Sequence, residues 1–209
     1  MKIALFGKMR SGKDTVGEML INDYGFRRFA FATGIGQIIE EYFPEAMAEG
    51  KPRHHYQFIG QQLRQLNPDV WINYLLKDVK DYETSYNGGE NARVVVTDGR
   101  QSNEAVKLKE EGFIIVKVEA PDELRIKRIE EAGDVFTPEL FEHETELEVD
   151  KIEPDYVITN DSDLKNLDEA VQMLLVCMVA EKWNVPPMVA YSIIHLIATG
   201  ENSGGDVIE

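Results

Sequence analysis

The chain has 209 residues, 43% of them hydrophobic, and its formal net charge is −16. This length predicts one compact domain, and the acidic charge excludes a general nucleic-acid binder, which needs a basic face. The single cysteine, Cys177, leaves no disulfide framework, and the absence of a signal-peptide pattern or a membrane-length apolar run predicts a cytoplasmic protein without a membrane partner.

An apolar run at residues 2–6 predicts a buried strand, which leads directly into the sequence Gly7-Lys8-Met9-Arg10-Ser11-Gly12-Lys13-Asp14-Thr15. A helical pattern over residues 12–23 follows, so a Gly-x-x-x-x-Gly-Lys loop joins a strand to a helix. Glycines allow the backbone to wrap around phosphate oxygens, and the helix adds its positive N-terminal end. Lys13 is placed to reach the β- and γ-phosphates of a nucleotide. We therefore predict that this loop binds ATP through Gly7, Lys8, Arg10, Ser11, Gly12, Lys13, Asp14 and Thr15.

Asp14 departs from the usual form of this loop, in which Ser or Thr follows the lysine and contacts Mg²⁺. A carboxylate is also a good ligand for Mg²⁺, directly or through water. The alternative is that Asp14 only caps the N-terminus of the helix. Thr15 supplies a hydroxyl one residue later, suited to the α-phosphate. We predict that Asp14 takes part in metal binding.

The stretch that follows is mostly helical in pattern. A short strand is predicted over residues 26–31, and Thr33 is predicted to cap the next helix. Pro44 and Pro52 bound a predicted break. The predicted helices of this stretch cover about 34–42, 53–66 and 69–82.

The two later helices of this stretch carry candidate groups for a second substrate. Arg64 lies one turn after Gln61, so the helix offers a cation and an amide to an acceptor phosphate and base. The alternative is an ordinary solvated helix face. Trp71 is a candidate platform for base stacking, although packing in the core is the favoured interpretation.

A buried strand over residues 93–97 ends at Asp98-Gly99-Arg100. An acidic residue at the end of a hydrophobic strand resembles the second half of a phosphate-loop nucleotide site. Asp98 could bind Mg²⁺ through water or position the attacking oxygen, and Arg100 could grip a phosphate bidentately. The alternative is a simple turn held by an Arg–Asp ion pair.

The second half of the chain continues the alternation of strands and helices. Strands are predicted at 113–119 and 155–159, and helices at about 102–111, 121–132, 163–183 and 188–199. This alternation predicts a parallel sheet whose ligands bind at the carboxyl ends of its strands. Between these elements, residues 133–151 are acidic and poorly periodic, and this pattern indicates a mobile lid.

Two arginines lead into the predicted lid. Arg125 and Arg128 are three residues apart, so they share one face of their helix. Phosphoryl transfer needs cations around the transferring group, and both residues are candidates for that role. The alternative is a solvated face among neighbouring Glu residues.

Over about residues 1–175 the sequence resembles the deoxynucleoside monophosphate kinases of tailed phages and their bacterial relatives. Besides the loop, the resemblance rests on Arg64 with Pro68-Asp69-Val70-Trp71, Asp98-Gly99-Arg100-Gln101 with Glu104, Arg125, Arg128, His143 with Glu146, and Asp155-Tyr156-Val157-Ile158-Thr159-Asn160-Asp161. Phosphomevalonate kinases of the same broad superfamily share part of this pattern. The residues are spread over most of the chain, so the resemblance concerns the whole predicted domain.

The resemblance implies an α/β P-loop nucleoside monophosphate kinase fold of three layers, with a central parallel sheet of about five strands. The kinase domain would cover 1–183, with an acceptor-binding insertion at about 33–82 and a lid at about 129–151. The resemblance does not cover residues 184–209, which the sequence pattern predicts to be a helical extension and polar tail. Its apolar helix would either pack back on the core or form a homodimer contact.

The implied activity is transfer of the γ-phosphate of ATP, with Mg²⁺, to a (deoxy)nucleoside 5′-monophosphate. Lys13, Asp98, Arg100, Arg125 and Arg128 would be catalytic, and Asp14 and Asp98 would hold the metal. Gln61, Arg64, Trp71, Asp98 and Arg100 would bind the acceptor. The alternatives are a kinase for dephospho-coenzyme A or phosphomevalonate, and a regulatory nucleotide-binding NTPase.

Overall fold

The computed structural model describes residues 1–48, 50–85, 92–133 and 144–199. Its strands are β1 (Lys2–Phe6), β2 (Arg27–Phe29), β3 (Val94–Gly99), β4 (Ile114–Glu119) and β5 (Tyr156–Thr159). They form one parallel sheet in the order β2-β3-β1-β4-β5. The predicted α/β fold with a parallel sheet of about five strands is confirmed.

Helices connect and flank these strands. Their bounds are α1 (Lys13–Asn22), α2 (Ala32–Tyr42), α3 (Pro44–Ala48), α4 (Arg53–Leu66), α5 (Val70–Ser85), α6 (Ser102–Glu110), α7 (Asp122–Glu131), α8 (Glu144–Asp150), α9 (Leu164–Trp183) and α10 (Pro187–Thr199). In the part of the chain that the structure describes, no helix is both long enough and apolar enough to cross a membrane.

The central strand β1 is buried on both faces because its side chains alternate between two separate cores. Ile3 and Leu5 belong to the core formed with α1, α9 and α10, whereas Ala4 and Phe6 belong to the core formed with α2, α5 and α6. All four are fully buried. This explains why the first strand reads as a continuous apolar run, and it anchors the loop that follows Phe6.

The start of α2 differs from the prediction. The helix begins at Ala32, so Thr33 lies inside its first turn, and the predicted Thr33 cap is wrong. The N–H groups of Phe31 and Ala32 donate instead to the carboxylate of Asp98, at 2.9 and 3.0 Å. The acceptor for the helix N-terminus therefore comes from a distant residue at the end of β3.

Two segments predicted to be irregular contain helix. The predicted break at 44–52 includes α3, which begins at Pro44, a position in the first turn where proline is favoured. The predicted lid includes α8, which is fixed by the fully buried Val149 and the buried Glu146. Residues 134–143 of the predicted lid, with His143, lie outside the described residues.

The C-terminal helix α10 packs back on the core. Ala190 and Ile194 are buried in the same core as α1 and α9. Its outer face is exposed, with Met188 82% accessible. Of the two alternatives for this helix, packing on the core is therefore present, and a homodimer contact stays a prediction.

Candidate active site

The loop between Phe6 and α1 has the backbone of a phosphate cradle. Gly12 adopts a left-handed conformation, with φ at 96°, and the N–H of Ser11 donates to the carbonyl of Lys8 at 3.1 Å. The first N–H groups of α1, from Lys13, Asp14 and Thr15, have no hydrogen-bond acceptor among the described residues, and no side chain caps the helix. Unpaired donors at a helix N-terminus fit a phosphate group.

A close approach by Asn160 fixes the position of Gly12. A Cβ at Gly12 would lie 2.0 Å from Asn160 Nδ2, so no larger residue fits there. That amide donates to the carbonyl of Ser11 at 2.8 Å, which ties the loop to the residue that follows β5. The buried hydroxyl of Ser11 has no hydrogen-bond partner within the described residues.

Lys13 is 6% exposed, and its ammonium lies where the loop meets the end of β3. Its Nζ donates to the carbonyl of Thr97 at 2.6 Å and to Asp14 Oδ1 at 3.0 Å. The hydroxyl of Thr97 accepts a further hydrogen bond, at 3.0 Å, from Arg28 Nε. Thr97 therefore holds two cationic side chains beside Asp14.

Asp14 projects from the first turn of α1, and its side chain is 78% exposed. Burial opposes its ionisation, but the charge and hydrogen bond of Lys13 outweigh that effect and, with Arg28 and Arg100, lower the pKa of the Asp14 carboxyl. No group of three His, Cys, Asp or Glu side chains in the described ranges could hold a metal ion. A single carboxylate is sufficient where phosphate oxygens and water complete the coordination of Mg²⁺. An exposed, ionised Asp14 beside the phosphate cradle fits that arrangement.

Asp98 lies at the end of β3, next to the loop, as predicted. Both of its oxygens accept backbone N–H groups, from Phe31 and Ala32. The carboxylate therefore positions the start of α2, and its role as a metal ligand stays a prediction. An Arg–Asp ion pair with Arg100, the simple alternative for this turn, does not form, because Arg100 pairs with Glu146 instead.

Glu146 joins α8 to the loop. The N–H of Met9 donates to both of its carboxylate oxygens at 3.0 Å. Its oxygens also meet Arg125 Nη2 at 2.5 Å and Arg100 Nη1 at 3.5 Å. A second link, 2.8 Å long, joins Lys8 Nζ to Asp150. A helix within the predicted lid is therefore fastened to the outer end of the loop.

Arg125 and Arg128 both contact the backbone of the loop. Arg125 is 1% exposed, and it donates to the carbonyl of Met9 and pairs with Asp122 and Glu146. Its guanidinium is therefore buried against the loop backbone and does not point into solvent, as a residue that closes with a lid would. Arg128 is half-buried; its Nη1 donates to the carbonyl of Arg10 at 3.2 Å and its Nη2 to Asn160 Oδ1 at 3.1 Å. Catalytic roles for the two arginines stay predictions.

On the opposite side of the loop, Arg64 meets Glu104 across the gap between α4 and α6. Arg64 Nη2 lies 3.5 Å from Glu104 Oε1, and Glu104 Oε2 accepts the N–H groups of Arg100 and Gln101. Burial raises the pKa of Glu104 to about 7; the two N–H groups and Arg64 oppose that shift, and the charge of Asp98 adds to it. Glu104 thus fixes the backbone of Arg100 and the side chain of Arg64 at one place.

The other predicted acceptor residues are placed differently from one another. Gln61 is exposed on α4, available to a ligand. Trp71 is 2% exposed, and its Nε1 donates to the carbonyl of Gly60 at 3.1 Å. This placement favours the packing interpretation of Trp71 over base stacking.

Arg28 is a cation of this region that is not among the predicted site residues. An arginine in a short alternating strand has no local signal of function. The one available signal is its position one residue before the carboxyl end of a parallel strand, the edge at which ligands bind.

No protein-family model and no curated protein matches the sequence. Among solved structures, a protein from Thermus thermophilus has a TM-score of 0.53 and 21% identity, and the match covers 85% of this chain and 97% of that one. Shikimate kinase from Aquifex aeolicus has a TM-score of 0.50 and 20% identity, covering 88% and 99% of the two chains. Dephospho-CoA kinase from Campylobacter jejuni has a TM-score of 0.51 and 15% identity, covering 88% and 100%. At these identities the likeness shows the fold alone, a central parallel sheet flanked by helices.

Proposed function

We propose that the protein is a kinase that transfers the γ-phosphate of ATP to a (deoxy)nucleoside 5′-monophosphate. The observation that supports it most is the pairing of two neighbouring features. Lys13 and the first N–H groups of α1, which have no acceptor in the described part of the chain, offer a phosphate site at the end of β1. Arg64 and Arg100 lie beside it, where Glu104 holds both at the end of β3.

The donor half of the site would bind the polyphosphate of ATP. Lys13 and the first N–H groups of α1 would hold the β- and γ-phosphates, and Arg128 and Asn160 would keep the loop in shape from the β5 side. Mg²⁺, when bound, would neutralise charge between these phosphates, and Asp14 is the residue that would hold it.

In the transfer, an oxygen of the acceptor phosphate forms a bond to the γ-phosphorus. The bond from that phosphorus to the β,γ-bridging oxygen breaks, and its electron pair stays on the ADP that leaves. A phosphate monoester loses its second proton near pH 6, so the attacking oxygen is already anionic at neutral pH. Positioning and charge stabilisation therefore suffice, without a general base.

The state of Asp98 favours a phosphate acceptor over a hydroxyl acceptor. A hydroxyl must lose a proton during transfer, and the residue that takes it must be free to approach it. Each Asp98 oxygen accepts one N–H group of α2, which fixes the carboxylate in place although each oxygen keeps a second lone pair. Dephospho-CoA kinase and shikimate kinase, whose fold this chain shares, therefore indicate acceptors to include as competitors in the test.

A coupled assay of ADP release tests the proposal. ATP and Mg²⁺ are supplied with each nucleoside or deoxynucleoside monophosphate, and separately with dephospho-coenzyme A, shikimate or phosphomevalonate. We expect release with at least one nucleoside monophosphate and its loss in Lys13→Met, whereas Lys107→Met, which changes an exposed lysine of α6, stays active. Release only with another acceptor would reassign the substrate. Slow release that no acceptor changes would favour a regulatory NTPase.

A further inference from the structure

We propose that Arg28 binds the phosphate of the acceptor, a role that rests on the proposed function. Arg28 and Lys13 are both attached to Thr97: Arg28 Nε donates to its hydroxyl at 3.0 Å, and Lys13 Nζ donates to its carbonyl at 2.6 Å. This shared anchor places the guanidinium next to the residue that would hold the γ-phosphate.

The sheet order places Arg28 on the acceptor side of the loop. β2 lies beside β3, and β3 lies beside β1. Arg28 is level with Val95 of β3, and its side chain reaches Thr97, the residue before Asp98. Arg128 and Asn160, which contact the loop from the other direction, belong to the β4–β5 side. In-line transfer requires the acceptor oxygen to approach the γ-phosphorus opposite the leaving ADP. A cation beyond β3 is therefore suited to the acceptor and not to ADP.

The outer part of the Arg28 side chain is available. The side chain is exposed, and within the described ranges its two terminal nitrogens have no hydrogen-bond or ion-pair partner. Arg64 and Arg100, by contrast, each lie 3.5 Å from a carboxylate, Glu104 and Glu146 respectively. The charge of Arg28 nevertheless reaches the site, because it contributes to the lowered pKa of Asp14.

The geometry suits arginine in particular. Thr97 occupies Nε and fixes the plane of the guanidinium, while Nη1 and Nη2 remain as a fork that can bind two oxygens of one phosphate. A lysine at this position would keep the charge but would lack both the anchor and the fork. The conservative variant should therefore recover only part of the binding.

Arg27 provides a matched control on the same strand. Successive strand residues point to opposite faces, and the Arg27 guanidinium lies 5.0 Å from the centre of the Tyr82 ring. Arg27→Gln and Arg28→Gln remove the same charge from adjacent positions. A difference between them reports the local contact and not the change in net charge.

The experiment compares wild type, R28Q, R28K and R27Q in the coupled assay, with the acceptor identified for the wild type. We expect R28Q to raise the acceptor KM about 10- to 100-fold, as loss of a charge-assisted hydrogen bond would. KM for ATP should stay within about twofold, and R27Q should match the wild type. The acceptor KM of R28K should lie between those of the wild type and R28Q. If R28Q does not fold, R28K takes its place in the comparison with R27Q.

Direct binding isolates the phosphate contact. The affinity of the enzyme is measured for the acceptor monophosphate and for the matching nucleoside, which lacks the phosphate. In R28Q the preference for the monophosphate should fall by the same factor as the acceptor KM rises, with nucleoside affinity unchanged.

Three results would overturn the proposal. Equal kinetics of R28Q and R27Q, or a lower kcat at unchanged acceptor KM, would remove Arg28 from the acceptor site while leaving the proposed function intact. Absence of transfer by the wild type to any phosphate acceptor would overturn both.

Discussion

The N–H of Met9 donates to both carboxylate oxygens of Glu146, each at 3.0 Å. A buried negative charge thus occupies the outer end of a loop whose inner N–H groups have no acceptor among the described residues and would face a bound phosphate. The same carboxylate neutralises Arg125, which is almost fully buried. Glu146 therefore supports the loop by holding its backbone directly and by keeping Arg125 in place.

Glu146→Gln should lower the free energy of unfolding by about 3 kcal/mol, because a buried arginine loses its buried counter-ion. Gln retains an oxygen for the N–H of Met9, so the lost stability reports mainly the removal of the negative charge. Urea unfolding measures this free energy. Glu131→Gln, which breaks an exposed pair with Lys127, should change the same quantity by less than about 1 kcal/mol. Equal effects of the two variants would contradict the role given to Glu146.

Gly12→Ala should abolish tight ATP binding. The new Cβ would collide with Asn160 Nδ2, and the left-handed backbone adds strain of about 1–2 kcal/mol. Gly112→Ala is the matched control: its φ is +78°, but no atom lies within 4 Å of the new Cβ. Calorimetric titration should show that Gly12→Ala binds ATP at least tenfold more weakly than the wild type. Gly112→Ala should bind ATP with the affinity of the wild type. Normal affinity in Gly12→Ala would show that the loop tolerates displacement of Asn160.

Glu104 should make the protein less stable as the pH rises. Its pKa is about 7 in the folded state, against an ordinary value of 4.5 in an unfolded chain. The folded protein therefore retains a proton that the unfolded chain has lost, so the stabilisation is complete below pH 4.5 and is lost as the pH rises through 7. The shift corresponds to about 3 kcal/mol.

Glu104→Gln removes this titration. The free energy of unfolding of the wild type, measured relative to this variant, should fall between pH 5 and pH 8. A constant difference between the two proteins over that range would mean that Glu104 is ionised throughout.

Asp14→Asn should lower Mg²⁺-dependent turnover at least tenfold and change the unfolding midpoint little, because the side chain is largely exposed. Asp163→Asn is the control: Asp163 also lies at a helix N-terminus, where it accepts the N–H of Asn166, and asparagine caps equally well. Steady-state kinetics over a range of Mg²⁺ concentrations should show reduced turnover in Asp14→Asn and wild-type turnover in Asp163→Asn. Unchanged turnover in Asp14→Asn would contradict a role for Asp14 in metal binding.

The sequence predicted the features that depend on neighbouring residues. The strand, loop and helix over residues 2–23 follow from apolar patterning and glycine placement within one short stretch, and the five strands follow from apolar runs between helical patterns. Asp98 and Arg100 are predicted as site residues for the same reason, since they lie at the end of a buried strand.

Contacts between distant residues could not be predicted in this way. The acceptor for the first N–H groups of α2 lies 66 residues away, at Asp98, so a local capping rule selected Thr33 instead. Arg28 is 69 residues from Thr97, and Glu146 is 137 residues from Met9. The burial of Arg125 likewise depends on α8, which the acidic and poorly periodic sequence did not predict. Each of these partners becomes apparent only when the sheet brings separate strand ends together.

The two halves of the site are held with unequal strength. β1 has a neighbouring strand on each side and four fully buried side chains, whereas β2 is a three-residue strand at the edge of the described sheet, with β3 as its neighbour. Amide hydrogens of β2 should therefore exchange with solvent before those of β1. A molecule that has opened at this edge keeps its phosphate cradle but loses the anchor of Arg28. Under mild denaturation, catalytic turnover should accordingly disappear while the protein still retains ATP.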